Sequence, residues 1–315
     1  MSAEATKLTL PPPKKGPDKL FFALTAGSGW LIVAVIAFIA IFLVITAAPA
    51  LMKDEVNFLT SNEWVVGNSL RFGIAGLLWT TALSSVVAMV IAVPIAVGVA
   101  LLITQYAPMK LRGTVGFLVD LLAAVPSVIY GLWGAAILAP AVTPIQEFLQ
   151  RYLGWFPLFG PGLQSSGTVF VASLVLAIMI LPIVTSISRD VFAQTPRENI
   201  EAAWALGATK WEMISTAVIP YGRSGVVAAS MLGLGRALGE TIAVMLILST
   251  TNDLAINFSL FAGGETFASK IANNAAEFDS PTKTGAYIAA GLVLFVVTFL
   301  VNAAARTIVD RRKVS

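Results

Sequence analysis

Six apolar runs dominate the sequence, each long enough to cross a bilayer as a helix. They lie at about 28–50, 72–103, 114–142, 168–188, 226–249 and 284–305. A helix rises about 1.5 Å per residue, so about 20 apolar residues span a hydrocarbon core roughly 30 Å thick. Backbone polar groups inside lipid must be satisfied within the segment, which makes each run a helix. The expected fold class is therefore an all-α integral membrane protein with six transmembrane helices. Composition agrees, with 12% charged residues where a soluble domain has about 25%.

The chain has no cysteine and no histidine. Thiolate chemistry, disulfides and the commonest zinc ligands are excluded. No Gly-x-x-x-x-Gly-Lys-[Ser/Thr] loop is present, so ATP is not cradled by that route. The expectation is a transport subunit with no catalytic residues, no metal and no cofactor, whose medium is the lipid bilayer; nucleic acid is not an expected partner.

Lysine and arginine set the expected orientation. With the N-terminus inside, the inner segments hold 14 of these residues and the outer segments five, with Arg236 in a span. This split favours both termini in the cytoplasm of a prokaryote, with the chain in its plasma membrane. The expected domains are a disordered cytoplasmic tail at 1–27, a first transmembrane helix at 28–50, a core at 70–306 with a cytoplasmic loop at 190–223, and a basic tail at 307–315.

The fifth run contains Arg236 and Glu240, four residues apart, so one continuous helix would place them on one face. Each charge near a bilayer centre costs roughly 2.5–3.5 kcal/mol on insertion scales. One reading is a substrate pathway: arginine forks two donors toward an oxyanion, and the carboxylate positions the arginine or accepts a proton from a protonated anion. The other is a self-neutralising salt bridge used for packing. Gly235 and Gly239 form a Gly-x-x-x-Gly pair suited to close helix approach.

Other polar residues are weaker candidates for the pathway. Arg71 opens the second run, as an anion attractor or an interface anchor. Asp120 lies six residues into the third run, lining an exit or holding a positive neighbour. Ser127 and Tyr130 flank Pro126, where they either satisfy carbonyls freed by a proline kink or contact an ion. Outside, 145–156 reads as a short interfacial helix with aromatic anchors. The segment 250–283 reads as a solvated loop with a short helix near 265–274, or as a dock for an external partner.

The loop at 190–223 carries two helix-start signals. Thr195-Pro-Arg-Glu198 and Thr209-Lys-Trp-Glu212 have the spacing of capping boxes, and Gly207 between them suits a left-handed helix end. Two short helices stopped by Pro220 are expected, either packed under their own bundle or facing a partner.

Glu201, Ala202 and Ala203, followed by Gly207 and then Ile219 and Pro220, resemble the EAA loop of the permeases of ABC importers. Ala217 and Ile219 replace the pattern's isoleucine and leucine. Two further stretches, at 122–134 and 232–241, resemble the phosphate permease subunits of high-affinity phosphate ABC importers, the Pst systems. The resemblance implies the type I ABC importer permease (MetI-like) fold. It implies that Glu201, Ala202, Ala203 and Gly207 dock on an ATPase, and that the chain moves inorganic phosphate inward. It also implies a PstA-like sister permease in a heterodimer, a PstB-like ATPase dimer and a PstS-like external phosphate-binding protein. The alternatives are a permease for another oxyanion, such as sulfate or molybdate, and an ion-gradient-driven secondary carrier, which would often show repeated discontinuous helices.

Overall fold

The structure, a computed structural model, describes residues 15–67, 69–162, 167–250 and 256–311. Among them, six helical stretches are long and apolar enough to cross a membrane: Lys19–Leu51, Ala75–Tyr106, Ser127–Leu153, Val169–Ala193, Lys210–Gly239 and Pro281–Ala305. The count of six matches the sequence. The boundaries and continuity of several spans do not.

Helix α1 runs Lys15–Leu51, so the expected tail is already helical from residue 15. Its only prolines are Pro17, in the first turn, where the ring costs no intrahelical hydrogen bond, and Pro49, near the end. Residues 1–14 and 312–315, which include the rest of that tail and the end of the basic C-terminal one, lie outside the described residues. α1 packs along α12 (Pro281–Arg311). The contact is close because it is built from small residues: Ala47, Ala50, Ala286 and Ala289 are fully buried. A Cβ on Gly285 would lie 2.9 Å from that of Ala50. Most of α1 is otherwise bare, with Trp30 and Phe38 exposed, an apolar surface suited to lipid.

A short antiparallel hairpin follows, β1 (Trp64–Val66) and β2 (Leu70–Phe72), with Trp64 opposite Phe72. It leads into α2 (Ala75–Leu101), extended by a π-helical turn at Leu102–Tyr106. α2 lies along α6 (Val169–Ala193), and α6 along α9 (Ile219–Gly239). Ala88, Ala92 and Ala96 on α2 are fully buried, so the spacing of small residues by one turn brings the backbones together. Val175, Leu176, Ile180 and Phe261 complete this core.

The third apolar run is not one kinked helix. It divides into α3 (Met109–Ala123) and α4 (Ser127–Trp133). Pro126 has extended backbone at φ −59° and ψ 139°; a proline also pushes its predecessor out of the helical region, so the chain turns. The bilayer-length stretch then begins at Ser127. It passes through a π-helical segment at Gly134–Leu138 into α5 (Ala139–Leu153). The expected interfacial helix at 145–156 is therefore the end of this span. Its aromatic anchors remain outward, with Phe148 stacked on Tyr152 at 4.6 Å and Trp155 80% exposed.

The segment after the fifth span is folded into the bundle instead of being solvated. Phe261 and Phe267 are fully buried, and Glu265 is 2% exposed. Helix α11 (Phe267–Asn273) falls where a short helix was expected. Thr266 caps it, and the Phe267 backbone N–H donates to Thr81 Oγ1 at 3.2 Å. The buried Glu265 carboxylate is paired with Lys270 at 2.8 Å and accepts from Asn273 at 3.2 Å. Two buried phenylalanines outweigh the polar composition of this segment, because their burial stabilises by about 1.5–3 kcal/mol each.

Candidate functional site

The fifth span is broken at Glu240. α9 ends at Gly239, Glu240 is extended at φ −68° and ψ 125°, and α10 (Ile242–Ile247) begins two residues later. Arg236 sits in the last turn of α9. The two residues therefore do not share a face of one continuous helix, and no ion pair joins them among the described residues. The local reason is glycine: Gly233, Gly235 and Gly239 each weaken a helix by about 1 kcal/mol against alanine. The Glu240 carboxylate has a different partner. Oε1 accepts from the backbone N–H of Ala243 at 3.3 Å, in the first turn of α10. The Arg236 Nε is buried without a partner.

The break at Glu240 lies beside the break at Pro126, because α10 packs on α4. A Cβ on Gly131 would fall 2.8 Å from the Ala243 Cα and 3.0 Å from Leu246. Gly134 is as close to Val175 and Ile247, at 2.7 and 3.0 Å. The Tyr130 hydroxyl donates to the Leu122 carbonyl at 2.9 Å, bridging the Pro126 turn. Ser127 begins α4 and is half-buried. Arg236, Glu240, Tyr130 and Ser127 thus belong to one region, where two spans expose irregular backbone. Inside a membrane such backbone is tolerated only where protein buries it or a cavity is lined by it.

Arg71 and Asp120 lie elsewhere. Arg71 is on β2, paired with Glu63 at 3.1 Å, and both side chains are nearly half exposed. Asp120 is on α3, ahead of the span instead of within it, and is 3.4 Å from Arg189 of α6. Gly116 allows that approach, since a Cβ there would be 2.6 Å from an Arg189 nitrogen. A Cβ on Gly235 or Gly239 would meet nothing within 4 Å, so their expected packing role is not filled among the described residues. The close helix approaches use Gly131, Gly134 and Gly222 instead, and Gly222 seats the Phe192 ring.

The loop between the fourth and fifth spans holds α7 (Arg197–Ala205) and α8 (Lys210–Met213). Gly207 between them has φ +79°, the left-handed conformation its position suggested. The Thr209–Glu212 capping box forms. The Thr195 box does not: its hydroxyl donates back to the Phe192 carbonyl at 2.9 Å, and Pro196 takes the cap position. Pro220 does not stop the second helix. A π-helical turn at Ile214–Val218 precedes it, and α9 continues through it. The chain stays helical from Lys210 to Gly239, so Pro220 is accommodated within the stretch, next to that π-helical turn. Glu201, Ala202 and Gly207 are exposed and Ala203 is half-buried. Beside them Trp204, Leu206 and Trp211 are 53%, 89% and 61% exposed, an apolar surface that the described residues leave uncovered.

Residues 92–314 match the family described as "Binding-protein-dependent transport system inner membrane component". The chain belongs to this family. The phosphate transport system permease protein PstC 2 of Mycobacterium tuberculosis is 56% identical over 301 residues, covering 94% of this chain and 93% of that protein. The PstC permease of Mesorhizobium japonicum is 38% identical, covering 93% and 90%. Among solved structures, a bacterial ABC transporter that imports alginate matches with a TM-score of 0.56 at 17% identity, covering 93% of this chain and 99% of that one. The MetNI methionine ABC transporter in an inward-facing form matches at 0.53 and 18%, covering 76% and 94%. These binding-protein-dependent permeases establish the fold, a six-span permease of MetI type, and make this chain a multi-pass membrane transport subunit.

Proposed function

We propose that the chain is the phosphate-translocating permease subunit of an ATP-driven importer. The observation that carries the reading is the broken fifth span, with the Arg236 guanidinium in the last turn of α9 and a buried Nε without a partner among the described residues. A guanidinium with an unsatisfied donor, beside two stretches of irregular backbone, suits a tetrahedral oxyanion. The substrate class follows the names of the relatives, phosphate transport permeases at up to 56% identity. Glu240 holds the start of α10 and disfavours fully deprotonated oxyanions such as sulfate, while a hydrogen-bearing phosphate donates to it.

The proposed partners are a PstA-like permease, a PstB-like ATPase dimer and a PstS-like binding protein. The exposed α7–α8 surface with Glu201, Ala202, Ala203 and Gly207 is assigned to the ATPase, on the cytoplasmic side with both termini. ATP hydrolysis belongs to that partner. α8 runs into α9 without a stop, so displacement of the docked hairpin is delivered to the turn that carries Arg236. The test is ATP-dependent uptake of labelled phosphate by vesicles containing the reconstituted complex. Uptake that follows an ion gradient without ATP would instead mark a secondary carrier. Loss of phosphate uptake in Arg236→Gln, with the complex still assembled, supports the pathway role, and normal uptake excludes it.

A further inference from the structure

A cavity of about 730 Å³ opens between α3, the end of α6 and the α7–α8 hairpin. None of the residues at the Glu240 break line it. Its charged walls are Arg112, Arg189, Arg197 and Lys210 against Asp120 and Asp190: four cations less two carboxylates leaves two positive charges in excess. Both carboxylates are held by Arg189, at 3.4 and 3.1 Å. Arg112, Arg197 and Lys210 have no carboxylate partner among the described residues. The Arg112 Nε donates to the Ala107 carbonyl at 2.9 Å, which orients the guanidinium and leaves its two terminal nitrogens. Lys210 rests over the Tyr106 ring at 4.4 Å.

The same cavity has an apolar wall that includes Phe117 and Trp204. Phe117 also belongs to the bare outer surface of α3, where Leu118 and Leu121 are 52% and 55% exposed. An apolar path therefore runs from the exposed side of α3 into a pocket with unpaired cations. Free inorganic phosphate would satisfy the cations and leave Phe117 and Trp204 wet. A phospholipid satisfies both, with its phosphate among Arg112, Arg197 and Lys210 and a chain along Phe117. We infer that this cavity binds the phosphate group of an anionic phospholipid, against the hairpin assigned to ATPase docking. Its residues are separate from Arg236 and Glu240, so its failure leaves the translocation reading standing, and the reverse also holds.

The test is native mass spectrometry of the full chain in mild detergent with phosphatidylglycerol or phosphatidylcholine, with and without millimolar inorganic phosphate. Phosphatidylglycerol is expected to be retained in preference. The Arg112→Gln/Arg197→Gln/Lys210→Gln variant should hold it about a hundredfold more weakly, at roughly fivefold per basic side chain. The charge-keeping Arg112→Lys/Arg197→Lys variant should stay within a few-fold of the parent. If the triple variant does not fold, Arg197→Gln alone, with unchanged thermal unfolding, should show the fivefold loss. Equal retention of the two lipids, or undiminished retention in the Gln variants, overturns the site. Displacement of the lipid by inorganic phosphate overturns the lipid assignment in favour of free phosphate.

Discussion

The Glu240 carboxylate accepts from the backbone N–H of Ala243 at 3.3 Å, across the break between α9 and α10. Glu240, read either as a pathway residue that positions Arg236 or as its salt-bridge partner, starts the next helix instead. Loss of such a cap costs about 1 kcal/mol. If capping is the main task of Glu240, Glu240→Gln keeps an acceptor oxygen and should transport far better than Glu240→Ala. Equal loss in both, measured as labelled phosphate uptake by the reconstituted complex, would assign the need to the negative charge. Unchanged uptake together with an unchanged sulfate-to-phosphate ratio in Glu240→Gln would remove Glu240 from selectivity.

Glycines in the two broken spans should respond in opposite ways. Gly131→Ala puts a Cβ 2.8 Å from the Ala243 Cα, and overpacking of this kind costs typically ~1–3 kcal/mol. Gly235→Ala adds a methyl that meets nothing within 4 Å in this chain, and removing a helical glycine gains up to about 1 kcal/mol. Thermal unfolding of the purified chain in detergent should therefore fall for the first and hold or rise for the second. A destabilised Gly235→Ala chain would contradict the open space seen there.

The left-handed turn at Gly207 sets the angle between α7 and α8. With φ +79°, Gly207→Ala should cost about 1–2 kcal/mol in the hairpin. The expected readout is partial uncoupling: ATP hydrolysis by the reconstituted complex continues while uptake per ATP falls. Full coupling in this variant would show that the hairpin angle is not used.

Acid should loosen the N-terminal end of α12. The Tyr287 hydroxyl donates to Glu277 at 2.6 Å and the Asn274 amide at 2.7 Å, which lowers the Glu277 carboxyl pKa below its ordinary 4.5. A carboxylate with a lowered folded pKa stabilises the fold above its unfolded value, and that contribution is lost as pH falls through the folded one. Melting temperature should therefore drop on acidification below about pH 4.5. Tyr287→Phe removes the larger of the two causes and should flatten that dependence; an unaltered profile would place the acid sensitivity elsewhere.

Much of the architecture was legible from the chain alone. Apolar length determined six spans, because unsatisfied backbone in lipid leaves a helix as the economical solution. Gly207 and the Thr209–Glu212 box determined the hairpin, because those signals act within a few residues. Proline and glycine effects were legible only as possibilities. Pro126 permits either a kink or a break, Pro220 either a stop or a first turn, and the outcome depends on what packs there. The close approach of Gly131 to Ala243 fixed α4 and α10 side by side, and Phe261 and Phe267 drew a polar-looking segment into the core. The pairing of Asp120 with Arg189 and the parting of Arg236 from Glu240 are decisions of the tertiary structure for the same reason. Spacing along a sequence predicts a shared face only while the helix is unbroken, and whether it breaks is settled by contacts with residues far away in the chain.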